Sequence, residues 1–111
     1  MAAFEPDPGL DEFLETERFV FDWDRGNRTK NWRRHDVTTQ ECEEVFLNGP
    51  LPVGIQVDPL PAKEESRYAV IGETWEQKPL FIVFTVRQGK VRVVSARMAT
   101  TEEREDYDLL R

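Results

Sequence analysis

The stretch YAVIGETWEQKPLFIVFTVRQGKVRVVSARM, residues 68–98, carries three runs of β-branched and aromatic residues separated by short polar segments. Tyr68 to Gly72, Leu80 to Val86 and Val91 to Arg97 each have the length and composition of a strand, and turns around Glu76 to Pro79 and Gln88 to Lys90 join them. Strands so closely connected predict an antiparallel meander. Upstream, LPVGIQVDPLP predicts one irregular strand from Val53 to Val57, broken at Pro59 and Pro61, before a charged loop from Lys63 to Ser66. Downstream, Thr100 and Glu103 have the spacing of a capping box and open a final acidic helix, whose Tyr107, Leu110 and Leu109 can pack back onto the sheet.

Further upstream, FVFDW (residues 19–23) alternates Phe19, Phe21 and Trp23 onto one face and reads as the first strand. Asp24 can cap a short basic helix running to about His35, with Trp32 as its one large apolar group. Thr38 and Glu41 form a second capping box, and Cys42, Val45 and Phe46 follow at i, i+3 and i+4. This predicts a helix from about Thr39 to Leu47, stopped by Asn48, Gly49 and Pro50. Residues up to Gly9 read as a loose lead, and LDEFLETE as a short amphipathic helix. The order of elements predicts an α+β protein, a small antiparallel sheet with helices packed on one face.

The length of 111 residues fits one domain, and 39% hydrophobic with 33% charged residues is enough for a modest core. No apolar run reaches the roughly 18 to 20 residues of a membrane span, and the start MAAFEPDPGLDE lacks the features of a signal peptide, so a cytoplasmic protein with no membrane contact is expected. A single Cys42 and a single His35 leave no internal disulfide and no intramolecular His/Cys cluster for zinc; no cofactor or metal is implied. The net charge of −7 hides two basic islands, residues 25–35 and 85–101, each rich in Arg or Lys and free of acids. A locally positive face on an acidic body is therefore compatible with a phosphate-bearing partner.

Nucleotide-binding glycine loops, the G-x-S-x-G elbow and H-E-x-x-H are all absent, so the chemistry rests on the arginines and a few titratable groups. Arg92 and Arg97 stand at odd spacing in one strand and should point to opposite faces unless the strand bulges. Arg97 beside Arg87 of the neighbouring strand could clamp a phosphate, or both could be solvated cations that guard a sheet edge. His35 has the pKa for proton transfer near neutrality, yet a histidine closing a helix also serves as a cap. Glu64, Glu65 and Arg67 form a charged loop able to supply a base. Cys42 reads as core, and Trp23, Trp32 and Trp75 as packing residues that could alternatively stack on bases.

Several spaced motifs carry a resemblance: FDWD (21–24), Asn31 with RRH (33–35) and Val37, EEVF (43–46), E-S-R (65–67), I-G (71–72), TVR (85–87), RVVSAR (92–97) with Ala99, and ER (103–104) with Tyr107. In this order they resemble the BrnT-type toxins of bacterial type II toxin–antitoxin modules, small ribonucleases related in fold to RelE-like toxins. The resemblance implies a toxin domain over residues 19–111 behind an N-terminal extension, residues 1–18, with its short helix. It implies a metal-independent mRNA endoribonuclease neutralised by a cognate antitoxin, expected to be a ribbon-helix-helix protein through which alone the complex would meet DNA. It assigns phosphate stabilisation to Arg87, Arg92 and Arg97, base or acid roles to His35 or Glu65, and an orienting role to Arg67. The chain departs from the family at Arg25 and Asn27, where Pro and Lys are usual, at Asp36 for Gly, and at Met98 for Lys. The loss of two lysines keeps a second reading open, that of a catalytically weak or inactive protein-binding subunit of a toxin–antitoxin-like repressor complex.

Overall fold

The computed structural model describes residues 4–16, 18–29, 35–57 and 65–110. The meander forms where its three runs predict it. β3 (Tyr68–Glu73), β4 (Pro79–Arg87) and β5 (Lys90–Met98) pair in sequence, each antiparallel to the last. β2 (Leu51–Gln56) joins the free edge of β3, and a two-residue strand β1 (Phe4–Glu5) joins β2, giving the order β1-β2-β3-β4-β5.

The second capping box closes as its spacing requires. The Thr38 hydroxyl accepts from the Glu41 N–H and the Glu41 carboxylate accepts from the Thr38 N–H, starting α3 (Thr39–Leu47). α1 (Pro8–Leu14) begins on an Asp7 cap, and α2 (Arg25–Arg28) on an Asp24 cap. α4 (Thr101–Leu110) carries the Thr100–Glu103 box. Residues 30–34, which include Trp32 and the rest of the expected basic helix, lie outside the described residues, as do residues 58–64.

One face of the sheet is the core. Val70, Leu80, Ile82, Phe84, Val93 and Ala96 meet Cys42, Val45 and Phe46 of α3 and Leu10 of α1, all almost fully buried. Phe46 sits among the rings of Phe84, Phe19 and Phe21, with centroids 5.2 to 5.5 Å away. Burial pushes the Cys42 thiol up to about 12, which fits its expected place in the core.

The segment 19–23 departs from the expected strand. Among the described residues its only ladder contact is a single parallel bridge between Phe21 and Val91, closed by Asp22 N–H to the Val91 carbonyl and Val91 N–H to the Val20 carbonyl. The alternation itself holds, because Phe19, Phe21 and Trp23 pack against the core. The chain turns into the Asp24 cap before a ladder can extend. The described part of the lead, residues 4–8, is also built into the fold. Its Phe4–Glu5 pairs with Gln56 and Ile55, opposite a glycine at φ +150°, Gly54, where a Cβ would collide with the Glu5 carbonyl. The N-terminal segment thus covers both sheet edges, β2 with β1 and β5 with Phe21. The chain adopts the expected α+β class, but its helices do not all lie on one face: α1 and α3 cover the core face. α4 lies where Tyr107 and Leu109 line a groove with Ile71 and Phe81 of the other face, and Leu109 is 83% exposed rather than packed. The side chain of Leu110 is outside the described residues. No helix among the described residues is long and apolar enough to cross a membrane.

Candidate active site

The second face of the sheet is built by one irregularity in β5. Phe84 stands opposite Val93, but Val83 stands opposite Ser95, so Val94 is an extra residue in a β-bulge. The bulge shifts the alternation by one. Arg92 lies opposite Thr85, Ser95 opposite Val83 and Arg97 opposite Phe81, and these β4 residues alternate with the core positions Phe84 and Ile82. Arg92 and Arg97 therefore share a face, which corrects the opposite pointing that their odd spacing predicts. Arg87, opposite Lys90 at the end of the same register, belongs to that face too.

Sharing a face does not bring all three together. Six residues of β4 separate Phe81, opposite Arg97, from Arg87, which amounts to about 20 Å of strand. The expected Arg87–Arg97 clamp is not formed; Arg92 is the neighbour of Arg87.

Each guanidinium is held by carboxylates. Arg92 Nη2 is 2.6 Å from Asp24 Oδ2, and its Nη1 is 3.6 Å from Asp22 Oδ2. Arg87 Nε donates to Glu65 Oε1 at 3.0 Å. Arg97 grips Glu103 of α4 with two bonds, 2.8 and 2.9 Å, and lies 4.6 Å over the Phe81 ring. The charges show in the titration. The Arg87 hydrogen bond holds the Glu65 carboxyl below the usual range, and the Glu65 bond raises Arg87 in return. The Arg97 bond likewise lowers Glu103, and the Glu103 bond raises Arg97. Asp24 is lowered first by the Asn27 backbone N–H and next by Arg92.

Asp24 thus works with both oxygens, Oδ1 as helix cap and Oδ2 as anchor of Arg92. The cap is legible in the sequence and the anchor is not; its signal is the Asp-x-Asp of FDWD beside a basic strand. Asn27, read as a lost lysine, is buried. Its Nδ2 donates to the Asp22 carbonyl at 3.0 Å and to the Val93 carbonyl at the bulge at 3.3 Å, while its Oδ1 accepts from the Asp24 N–H. It ties the acid-bearing segment to the bulge. Asp36 has φ +59°, the left-handed conformation that glycine adopts most readily and that Asp tolerates better than most residues.

His35 is exposed and lies apart from the arginine pair at Arg87 and Arg92. The carbonyl of its neighbour Asp36 accepts from Lys78 Nζ at 3.0 Å, just before the start of β4, whose nine residues put about 26 Å between its ends. Glu65 is at the other end, on Arg87, so His35 and Glu65 do not form an acid–base pair across one bond. Arg67 lines a groove with Ser95 and Arg97. Among the described residues, no three or more His, Cys, Asp or Glu gather as a metal site.

An open sheet with one packed face and one face studded with ion-paired arginines defines a small α+β domain. The family described as "Ribonuclease toxin, BrnT, of type II toxin-antitoxin system" matches residues 23–103, well over half the chain, and the chain belongs to it. Proteins of such systems are paired with an antitoxin. Among solved structures, the chain is similar to the ribonuclease toxin BrnT of Brucella abortus, with a TM-score of 0.51 and 23% identity over 76% of this chain and 100% of that one. That likeness concerns the fold. No curated protein matches the chain.

Proposed function

We propose that this chain is the toxin of its module, a metal-independent mRNA endoribonuclease active in the cytoplasm and silenced by a ribbon-helix-helix antitoxin, through which the complex meets DNA. The observation that carries the reading is the bulge at Val94, which gives Arg87, Arg92 and Arg97 one common face. RNA brings its own nucleophile. A base takes the 2′-hydroxyl proton, the 2′-oxygen bonds to the adjacent phosphorus, and the P–O5′ bond breaks as an acid protonates the leaving oxygen. The products are a 2′,3′-cyclic phosphate and a 5′-hydroxyl, and cations offset the charge growing on the phosphate oxygens. Arg92 and Arg87 serve as those cations, preorganised by Asp22, Asp24 and Glu65. A carboxylate lowered below its usual range is a weak base, so Glu65 fits the orientation of Arg87 better than proton abstraction. Arg97 and Arg67 serve the strand beyond the cleaved bond; His35, at the other end of β4 from Arg87, is remote from a phosphate held by Arg87 and Arg92, so no side chain is assigned to the proton transfers.

The test is labelled single-stranded RNA at low salt in EDTA with wild type and Arg97→Ala. Wild-type cleavage leaving cyclic phosphate ends, reduced tenfold or more in the variant, supports the reading; intact RNA with folded wild-type protein contradicts it. One observation favours the second reading, a non-catalytic subunit of a repressor complex: all three arginines are already engaged by carboxylates. Under that reading Arg97→Ala weakens antitoxin binding and RNA stays intact.

A further inference from the structure

The family match begins at residue 23, yet the chain before it is built into the fold. Leu10 is almost fully buried in the core, and Phe13 lies 5.7 Å from the Phe19 ring and 6.2 Å from the Phe84 ring. At its start, β1 brings Phe4 round the β2 edge to the arginine-bearing face, where its ring meets Phe81 edge-on at 6.0 Å. Gly54 keeps this approach open, since any side chain there would strike the Glu5 backbone.

Phe4 becomes the wall of a groove of about 460 Å³ on that face. Val83 is part of its floor, and Gln56, Ser95, Arg67 and the Arg97–Glu103 ion pair stand around it. Phe4 itself is only half-buried, so ring surface remains open. Apolar walls, an aromatic ring and a few convergent hydrogen-bonding groups suit a flat heteroaromatic ligand with polar edges. Next to cations on the same sheet face, the ligand of that chemistry is an unpaired nucleobase of single-stranded RNA, stacked on an aromatic ring and bonded along its edge.

We infer that the groove walled by Phe4 is a nucleobase pocket, and that the N-terminal strand is a specificity element added to the ribonuclease surface. The inference rests on the proposed RNA reading and deepens it. A base held here positions the strand relative to Arg92 without touching the scissile phosphate. Duplex RNA, whose bases are already stacked and paired, cannot enter.

The experiment measures binding of a labelled 12-nucleotide single-stranded RNA and of its duplex form to the full chain, as wild type, Phe4→Ala, Phe4→Leu and Phe4→Trp. Phe4→Leu keeps apolar cover over Phe81 without an aromatic face, so it separates stacking from folding. Phe4→Ala and Phe4→Leu should both lose about tenfold in affinity for the single strand, and Phe4→Trp should retain it. The dependence on salt should stay as in wild type, since no phosphate contact is removed. Phe4→Leu binding the single strand as tightly as wild type overturns the pocket and leaves the RNA reading standing. No RNA binding by folded wild-type protein overturns both.

Discussion

The two faces of the sheet obey opposite rules. On one, Leu80, Ile82 and Phe84 of β4 and Val93 and Ala96 of β5 are almost completely removed from water under α1 and α3. On the other, Phe81, Val83 and Thr85 share a surface with Arg92, Ser95 and Arg97, each arginine balanced by an acid from another part of the chain. A strand of period two can serve both faces only while its alternation is kept. β5 breaks it once, at Val94, and the break turns Arg92 and Arg97 to the same side while Val93 and Ala96 stay in the core. The packed face fixes the fold, and the bulge decides which chemistry the open face presents.

Removing the bulge should break this division most severely. Inserting one residue between Val83 and Phe84, opposite Val94, gives the extra residue a partner and makes β5 alternate plainly, so either Arg92 or Arg97 must face the core, and a buried unpaired charge costs at least about 3 kcal/mol. Denaturant unfolding should show that loss; unchanged stability would mean that β5 keeps its bulge despite the added partner. Asn27→Ala should come next, costing about 2 kcal/mol, because it leaves the Val93 and Asp22 carbonyls without their buried donor. A loss below about 0.5 kcal/mol would show that the tie between bulge and acid segment is unimportant.

The pair on the open face should show itself in acid. Glu103 is lowered in the fold from its ordinary value of 4.5, so its contribution to stability is present above that value and is lost as the pH falls through the lowered one. Glu103→Gln should therefore flatten the stability profile below about pH 4.5 and leave the core face unaffected, as melting curves between pH 3 and 7 would reveal. An identical acid slope in the variant would assign the dependence elsewhere. The smallest effect belongs to Asp36→Gly, which relieves a left-handed residue and should raise stability by at most about 1 kcal/mol. A clear destabilisation would show that the Asp36 side chain makes a contact worth more than its strain.

What the sequence made legible was local. The meander and α3 were readable because their strand runs, capping boxes and stop signals lie within a few residues of one another. The candidate site was legible only as a set of residue types. RVVSAR contains no glycine to mark a bulge, so parity put Arg92 and Arg97 on opposite faces. The distance between Arg87 and Arg97 depends on hairpin register, which sequence spacing alone left open. Asn27 looked like a missing charge because its value lies in a carbonyl 66 residues away, and the lead before Gly9 looked loose because two residues of strand pairing leave almost no periodic signal. The FDWD segment kept its alternation but not its strand, for Asp24 commits the backbone to a cap directly after Phe21 and Trp23.

If the bulge at Val94 assembles one RNA-facing surface, Arg92 and Arg97 must both serve cleavage. Single-turnover cleavage of single-stranded RNA in EDTA by wild type, Arg92→Ala, Arg97→Ala and the double variant tests it most directly. Wild type should cleave, and each single variant should lose tenfold or more, with folding intact by circular dichroism. Cleavage at the wild-type rate in both single variants would contradict it.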